Sequence, residues 1–192
     1  INNDGWSDLL SLDMLPDDPF MLKSSLGEDA YNVFQYKIGL GYYYQYTRNN
    51  LQLNQGNGHF SEIGLFAGVA ATDWSWTPLF MDYDSDGFKD LFVSNGIPRR
   101  MNDIDYVKFQ ENRELQLKEG TTRNVEETEL AIVDKMPKVK LPNRIFHNTG
   151  RLRFDDVSEQ VAGSVPTFSN GAIYADFDND GDLDVVVNNI ED

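Results

Sequence analysis

The chain has 192 residues, of which 16 are basic and 32 acidic, giving a formal net charge of −16 and a pI near 4.3. That balance excludes nucleic acid and anionic membrane surfaces as partners, because both are bound mainly through clustered lysine and arginine. The absence of cysteine removes disulfides, thiolate zinc sites and cysteine nucleophiles. No apolar run approaches the roughly 18 residues of a transmembrane segment.

In chain order, the sequence opens on Ile1-Asn2-Asn3-Asp4-Gly5-Trp6, which reads as the middle of a loop and leads to the expectation that this is a piece of a longer protein. Asn2, Asp4 and Asp8 form an acidic loop that lacks its first position. Residues 16–40 break the strand-like pattern and read as a helical insertion. Gly41 to Tyr46 follow, rich in tyrosine, and are expected to be a strand packed in the core, with a sugar-stacking platform as the other role for Tyr42, Tyr43, Tyr44, Tyr46, Trp74 and Trp76. A second acidic loop begins at Asp82. Residues 97–141 are a longer, charged insertion in which Ile104, Val107, Leu115, Leu130, Val133 and Met136 fall at spacings of three and four. That spacing predicts two helices, broken near Gly120 and ended before Pro137. Strands are then predicted at Arg144 to His147, Arg153 to Val157, Ala172 to Ala175 and Leu183 to Val187, with a third acidic loop between the last two.

An offset of 94 residues carries Asp82 onto Asp176, and also Asn49 onto Asn143, Asn54 onto Asn148, Gly56 onto Gly150, Phe60 onto Phe154 and Asn95 onto Asn189. The first loop repeats at an offset of 82, Asp4 and Asp8 matching Asp86 and Asp90. Four-stranded units repeated along a chain are the pattern of β-propeller blades. Closure takes four to eight blades, so the expected fold is all-β with helical insertions, a partial propeller of a little more than two blades. The expected division is a partial first blade at 1–69, a second at 70–162 and the first strands of a third at 163–192. Two blade faces should then be exposed, for the rest of a parent propeller to cover. The Leu91-Phe92-Val93 and Val185-Val186-Val187 runs read as strands buried on both faces.

The complete loops, Asp82 to Asp90 and Asp176 to Asp184, share the form DxDxDGxxD. Alternating carboxylates in a tight turn point their oxygens at one centre, and glycine at position six allows positive φ. The ligands expected are Asp82, Asp84, Asp86 and Asp90 with the Phe88 carbonyl, and Asp176, Asp178, Asp180, Asp182 and Asp184, with Asn2, Asp4 and Asp8 as an incomplete third set. Many flexible oxygen ligands suit Ca2+ better than Mg2+. An EF-hand needs Glu at position twelve, where this chain has Val93 and Val187, so the closing carboxylate is at position nine and a strand follows. Signatures of Ser-hydrolase, zincin or P-loop chemistry are missing, and His59 and His147 are expected to be structural.

These loops resemble FG-GAP or VCBS repeats, whose blades build the calcium-binding propeller of integrin α-subunits. Trp74-Ser75-Trp76, Gly41 to Asn49, Leu141-Pro142-Asn143-Arg144 and Phe168-Ser169-Asn170-Gly171 are similar to repeat proteins of Bacteroidota in the ASPIC/UnbV and cartilage acidic protein group. The resemblance implies an exported protein, at the cell surface, in the periplasm or outside the cell, with Ca2+ as its cofactor and a non-enzymatic binding, adhesion or scaffold role toward a glycan or protein. A calcium-containing propeller polysaccharide lyase is the alternative it leaves. The long insertions depart from integrin-type blades, so integrin ligand chemistry is not carried over.

Overall fold

The computed structural model describes residues 1–27, 29–118, 133–161 and 164–190. Nine strands form three antiparallel sheets in chain order. The first joins β1 (Leu9–Ser11), β2 (Asn50–Asn54) and β3 (Phe60–Glu62), the second joins β4 (Ser75–Met81), β5 (Asp90–Asn95), β6 (Arg144–Asn148) and β7 (Phe154–Asp156), and the third joins β8 (Ser169–Ala175) and β9 (Asp184–Asn189). The second and third acidic loops are thus hairpin connections, and each insertion follows the strand after its loop. Four helices complete the described chain: α1 (Pro19–Ser24), α2 (Tyr31–Gly39), α3 (Gly64–Ala67) and α4 (Ile104–Lys118). This is a mostly β, propeller-like arc with no closed barrel.

The core lies where the first and second sheets face one another. Leu51 of β2, Ala67 of α3 and Val69 meet Leu91 and Val93 of β5, Phe146 of β6 and Phe154 of β7. Every residue of β5 is buried, as a central strand covered on both faces should be. The third sheet packs through β8 on β4 and β5. Its outer face is bare, with the cross-strand partners Ile173 and Val186 61% and 53% exposed. Burial therefore alternates along Val185-Val186-Val187, which corrects the expectation of burial on both faces. Leu9 and Phe60 leave an apolar surface at the other end.

The repeat extends to irregularities. The β4–β5 ladder shifts register between Ser75 and Pro78, and the β8–β9 ladder shifts between Ser169 and Ala172, the same positions at the 94-residue offset. Ser75 Oγ donates to Asn95 Oδ1 at 2.8 Å, and Ser169 Oγ to Asn189 Oδ1 at 2.9 Å. A bulge of this kind tolerates Pro78, whose ring nitrogen has no hydrogen to give a ladder.

Sheets two and three touch most closely at Gly96. Its φ is +143°, and a Cβ there would lie 2.6 Å from Phe168 Cα and 2.8 Å from Ser169 N. The obstacle is backbone, so no rotamer change relieves it. Gly96→Ala is expected to lower stability by about 2–3 kcal/mol, from backbone strain together with overpacking, measurable by urea unfolding; an unchanged midpoint would contradict this packing.

The insertions are helical but sit largely in solvent. Asp18 caps α1 by accepting from Phe20 N and Met21 N, with Pro19 at the first helical position, and neither α1 nor α2 buries a residue. Residues 42–46 are a loop, not the expected strand, and Tyr42, Tyr43, Tyr44 and Tyr46 are exposed, which overturns their assignment to the core. They gather instead around the insertion: Phe34 stacks on Tyr46 at 5.8 Å between centroids, and Arg48 lies 4.8 Å over the Tyr46 ring. In α4 the residue buried is Tyr106, while Ile104 and Val107 are half-buried. The expected second helix around Gly120 and Leu130 lies outside the described residues, as does the side chain of Leu115.

Candidate metal centre

Two positive-φ residues bend each acidic loop. Glycine takes position six, at φ 85° for Gly5, 93° for Gly87 and 98° for Gly181. Position four is also left-handed in every copy, in Asn3, Ser85 and Asn179 at φ 58°, 60° and 61°. The sequence reading anticipated the glycine and missed position four, although Asn is the residue that most readily adopts that conformation.

The bends turn backbone N–H groups onto the carboxylates. In the second loop Asp86 N donates to Asp82 Oδ1 at 3.0 Å, Gly87 N to Asp82 Oδ2 at 3.0 Å and Phe88 N to Asp86 Oδ1 at 2.8 Å. In the third, Gly181 N donates to Asp176 Oδ2 at 3.1 Å and Asp182 N to Asp180 Oδ1 at 3.0 Å. One oxygen from each of Asp82, Asp84 and Asp86 lies within 4.8 Å of the others, and Asp176, Asp178 and Asp180 converge within the same limit. The Asp182 carboxylate is not in its loop's converging set. Among the described residues no lysine or arginine pairs with these carboxylates, and that donor set fits a hard divalent cation such as Ca2+.

The position-nine carboxylate holds loop to sheet; Asp90 also lies within 4.8 Å of Asp84 and His147, whereas Asp184 joins no such group among the described residues. Asp90 is fully buried; Oδ2 accepts from Tyr83 N at 3.2 Å and Oδ1 from Asn148 N at 2.7 Å. Asp8 accepts equivalently from the Ile1 nitrogen at 2.7 Å and Asn54 N at 2.9 Å, and Asp184 accepts from Phe177 N at 3.0 Å. Burial pushes the Asp90 carboxyl above its usual value, with the Asp84 charge adding to the rise, against the lowering effect of the Asn148 and Tyr83 hydrogen bonds and His147. A carboxylate in that position is one whose charge a bound cation would stabilise.

The first loop differs. Asn2 Nδ2 donates to Asp4 Oδ2 at 2.9 Å, and hydrogen bonds from Trp6 N and Asn2 hold the Asp4 carboxyl below its usual value. No three-ligand group forms there among the described residues. The position-seven rings instead pack: Phe88 covers the Gly150 turn, and Trp6 covers the equivalent Gly56 turn, with ring atoms 3.0 and 2.7 Å from where a Cβ would stand.

Two elements of the site were not read from the sequence as such. Asn148, buried, binds the Lys89 and Ile1 carbonyls through Nδ2, both at 2.9 Å, and accepts Gly150 N at 3.0 Å, fastening loop, strand and turn together. Asn54 accepts Gly56 N in the same way and donates to Ser7 O, so the signal was the Asn54–Asn148 repeat itself. His147, read as structural, places Nδ1 3.2 Å from Asp84 Oδ2 and 3.3 Å from Asp90 Oδ1. Its repeat equivalent is Leu53, so no periodicity marked it.

Antiparallel sheets in which carboxylate-rich hairpins join neighbouring strands define a propeller-type repeat. The FG-GAP-like repeat family model matches residues 38–93 and 128–187, and each match takes in one complete acidic loop. The chain belongs to the FG-GAP-like repeat family. No curated protein and no solved structure matches it. Among the described residues no helix is long and apolar enough to cross a membrane.

Proposed function

We propose that this chain is a calcium-stiffened arc of β-propeller from an exported protein of the Bacteroidota repeat group, with a non-enzymatic binding or scaffold role toward a glycan or protein. The observation that carries the reading is the convergence of three carboxylates in each of two loops, at the hairpins joining β4 to β5 and β8 to β9. A cation bound there joins the two strands of a hairpin through their turn, so metal occupancy becomes blade rigidity. Near-millimolar extracellular calcium keeps moderate-affinity loops of this kind filled. The bare faces at Ile173 and Val186 and at Leu9 and Phe60 are where the rest of a propeller packs.

The binding half of the reading rests on the first insertion. A cleft of about 840 Å3 is lined there by Tyr31, Phe34, Tyr44 and Tyr46 together with the ion pair of Lys37 and Asp29. Aromatic faces beside charged and amide groups are the mixture that holds a sugar, rings against its C–H faces and polar groups against its hydroxyls. Calorimetric titration of the chain with Ca2+ is expected to give two sites, with Asp84→Asn removing one and Asp178→Asn the other. A glycan array probed with the calcium-loaded chain is expected to show retention without hydrolysis. Absence of calcium heat contradicts the metal half, and turnover of a retained polysaccharide contradicts the non-enzymatic half.

A further inference from the structure

The second loop has a nitrogen beside its carboxylates. Register pairs Leu91 with Phe146, and carrying it one residue further sets His147 of β6 opposite Asp90 of β5. Nδ1 of His147 is buried and lies within 3.3 Å of a carboxylate oxygen on each of Asp84 and Asp90, yet it makes no hydrogen bond. An imidazole serving as a simple donor to Asp90 would point along one of the two contacts. The ring also packs edge-to-face with Tyr83, at 6.4 Å between centroids and 78° between planes.

We propose that the second acidic loop is a mixed oxygen–nitrogen metal centre, in which His147 Nδ1 joins Asp84 and Asp90, and that it takes a borderline divalent cation such as Zn2+. The proposal rests on the metal reading of the loop given above. Ligand atoms of Asp84, Asp90 and His147 all lie within 4.8 Å of one another, and Asp84 also belongs to the set with Asp82 and Asp86. Carboxylates alone suit Ca2+, whereas an imidazole moves a site toward Zn2+ and its neighbours in the transition series. Two carboxylates and one histidine leave a position for water, the pattern of an open zinc site. Asp90 is fully buried, and its hydrogen bonds from Tyr83 N and Asn148 N fix its orientation while leaving lone pairs on both oxygens. In the first repeat the histidine position is Leu53.

The test is a Zn2+ titration of the whole chain, labelled with 15N-histidine and followed by NMR, with His59 as internal reference. The His147 Nδ1 resonance is expected to move saturably while His59 stays in place. Calorimetry on His147→Leu, a side chain the preceding repeat already houses at that position, is expected to show Zn2+ affinity weakened at least about ten-fold while Ca2+ binding persists. A His147 resonance unmoved at saturating Zn2+, or equal Zn2+ affinity in the variant, overturns the proposal. If Ca2+ fills the second loop and His147 does not respond to Zn2+, this inference alone fails; if neither ion binds there, the metal reading of the loop fails with it. The NMR measurement uses the unaltered chain, so the outcome does not depend on the folding of the variant.

Discussion

Arg100→Ala is expected to destabilise the chain by about 3–5 kcal/mol, the range for removing one partner of a buried ion pair. The Arg100 side chain is 1% exposed and that of Asp73 4%, and Nη2 reaches both carboxylate oxygens, at 2.8 and 3.0 Å. Removing the guanidinium leaves a carboxylate buried without a counter-charge, which costs far more than the pair contributes over an apolar substitute. The pair also ties distant segments together: Asp73 N donates to Leu15 O before the first insertion, and Arg100 N donates to Pro137 O at the far end of the second. At 2–4 °C per kcal/mol for a chain of this size, the melting midpoint should fall by roughly 6–20 °C. The double variant Asp73→Asn with Arg100→Met removes both charges, keeps an acceptor for Trp74 N, and is expected to recover more than half of that loss. A single variant that melts like the parent chain would contradict the burial of the pair.

What the sequence made legible was whatever the repeat copies at fixed spacing. The DxDxDGxxD loops are local, so their convergence, their glycine bends and the strands on either side follow from nine residues and a two-residue period. The helical character of the second insertion was legible for a similar reason, since Ile104 and Val107 fall at a helical spacing. Features set by a single partner elsewhere in the chain were not. Asp73 and Arg100 are 27 residues apart, in positions the repeat does not duplicate, and nothing in either neighbourhood announces the other. His147 reaches Asp84 only because β6 pairs with β5 across the whole second insertion, and its counterpart Leu53 made the position look like ordinary core. Tyr42 to Tyr46 misled for a different reason. Aromatic-rich segments are compatible with a buried strand and with an exposed surface, and only the placement of these rings in the folded chain shows that they are exposed. At Val185 to Val187 the apolar run alone suggested burial on both faces, while the blade count had already left two blade faces to be exposed, as Val186 is.

Calcium should have the other large effect. A ligand that binds only the folded state stabilises it by about 2.7 kcal/mol per site at one hundred times its dissociation constant. Two loops filled to that level contribute about 5 kcal/mol, so the midpoint should rise by roughly 10–20 °C. The metal-free chain is the weaker state for a structural reason: Asp82, Asp84 and Asp86 crowd like charges together, and burial already opposes ionisation of Asp90. Mg2+ should do less, because it demands a small octahedral shell and gives up water reluctantly, whereas these loops present many oxygens on a flexible turn. Asp84→Asn with Asp178→Asn should remove most of the response, since each carboxylate belongs to the converging set of its own loop.

Thermal unfolding of the chain in chelator, and then across a calcium titration with magnesium in parallel, tests the claim that the acidic hairpins are structural metal cages. The account predicts a midpoint that climbs with calcium concentration, climbs much less with magnesium, and stops responding in the double Asn variant. A midpoint that is the same in chelator and in millimolar calcium would contradict it and return both loops to solvated acidic turns.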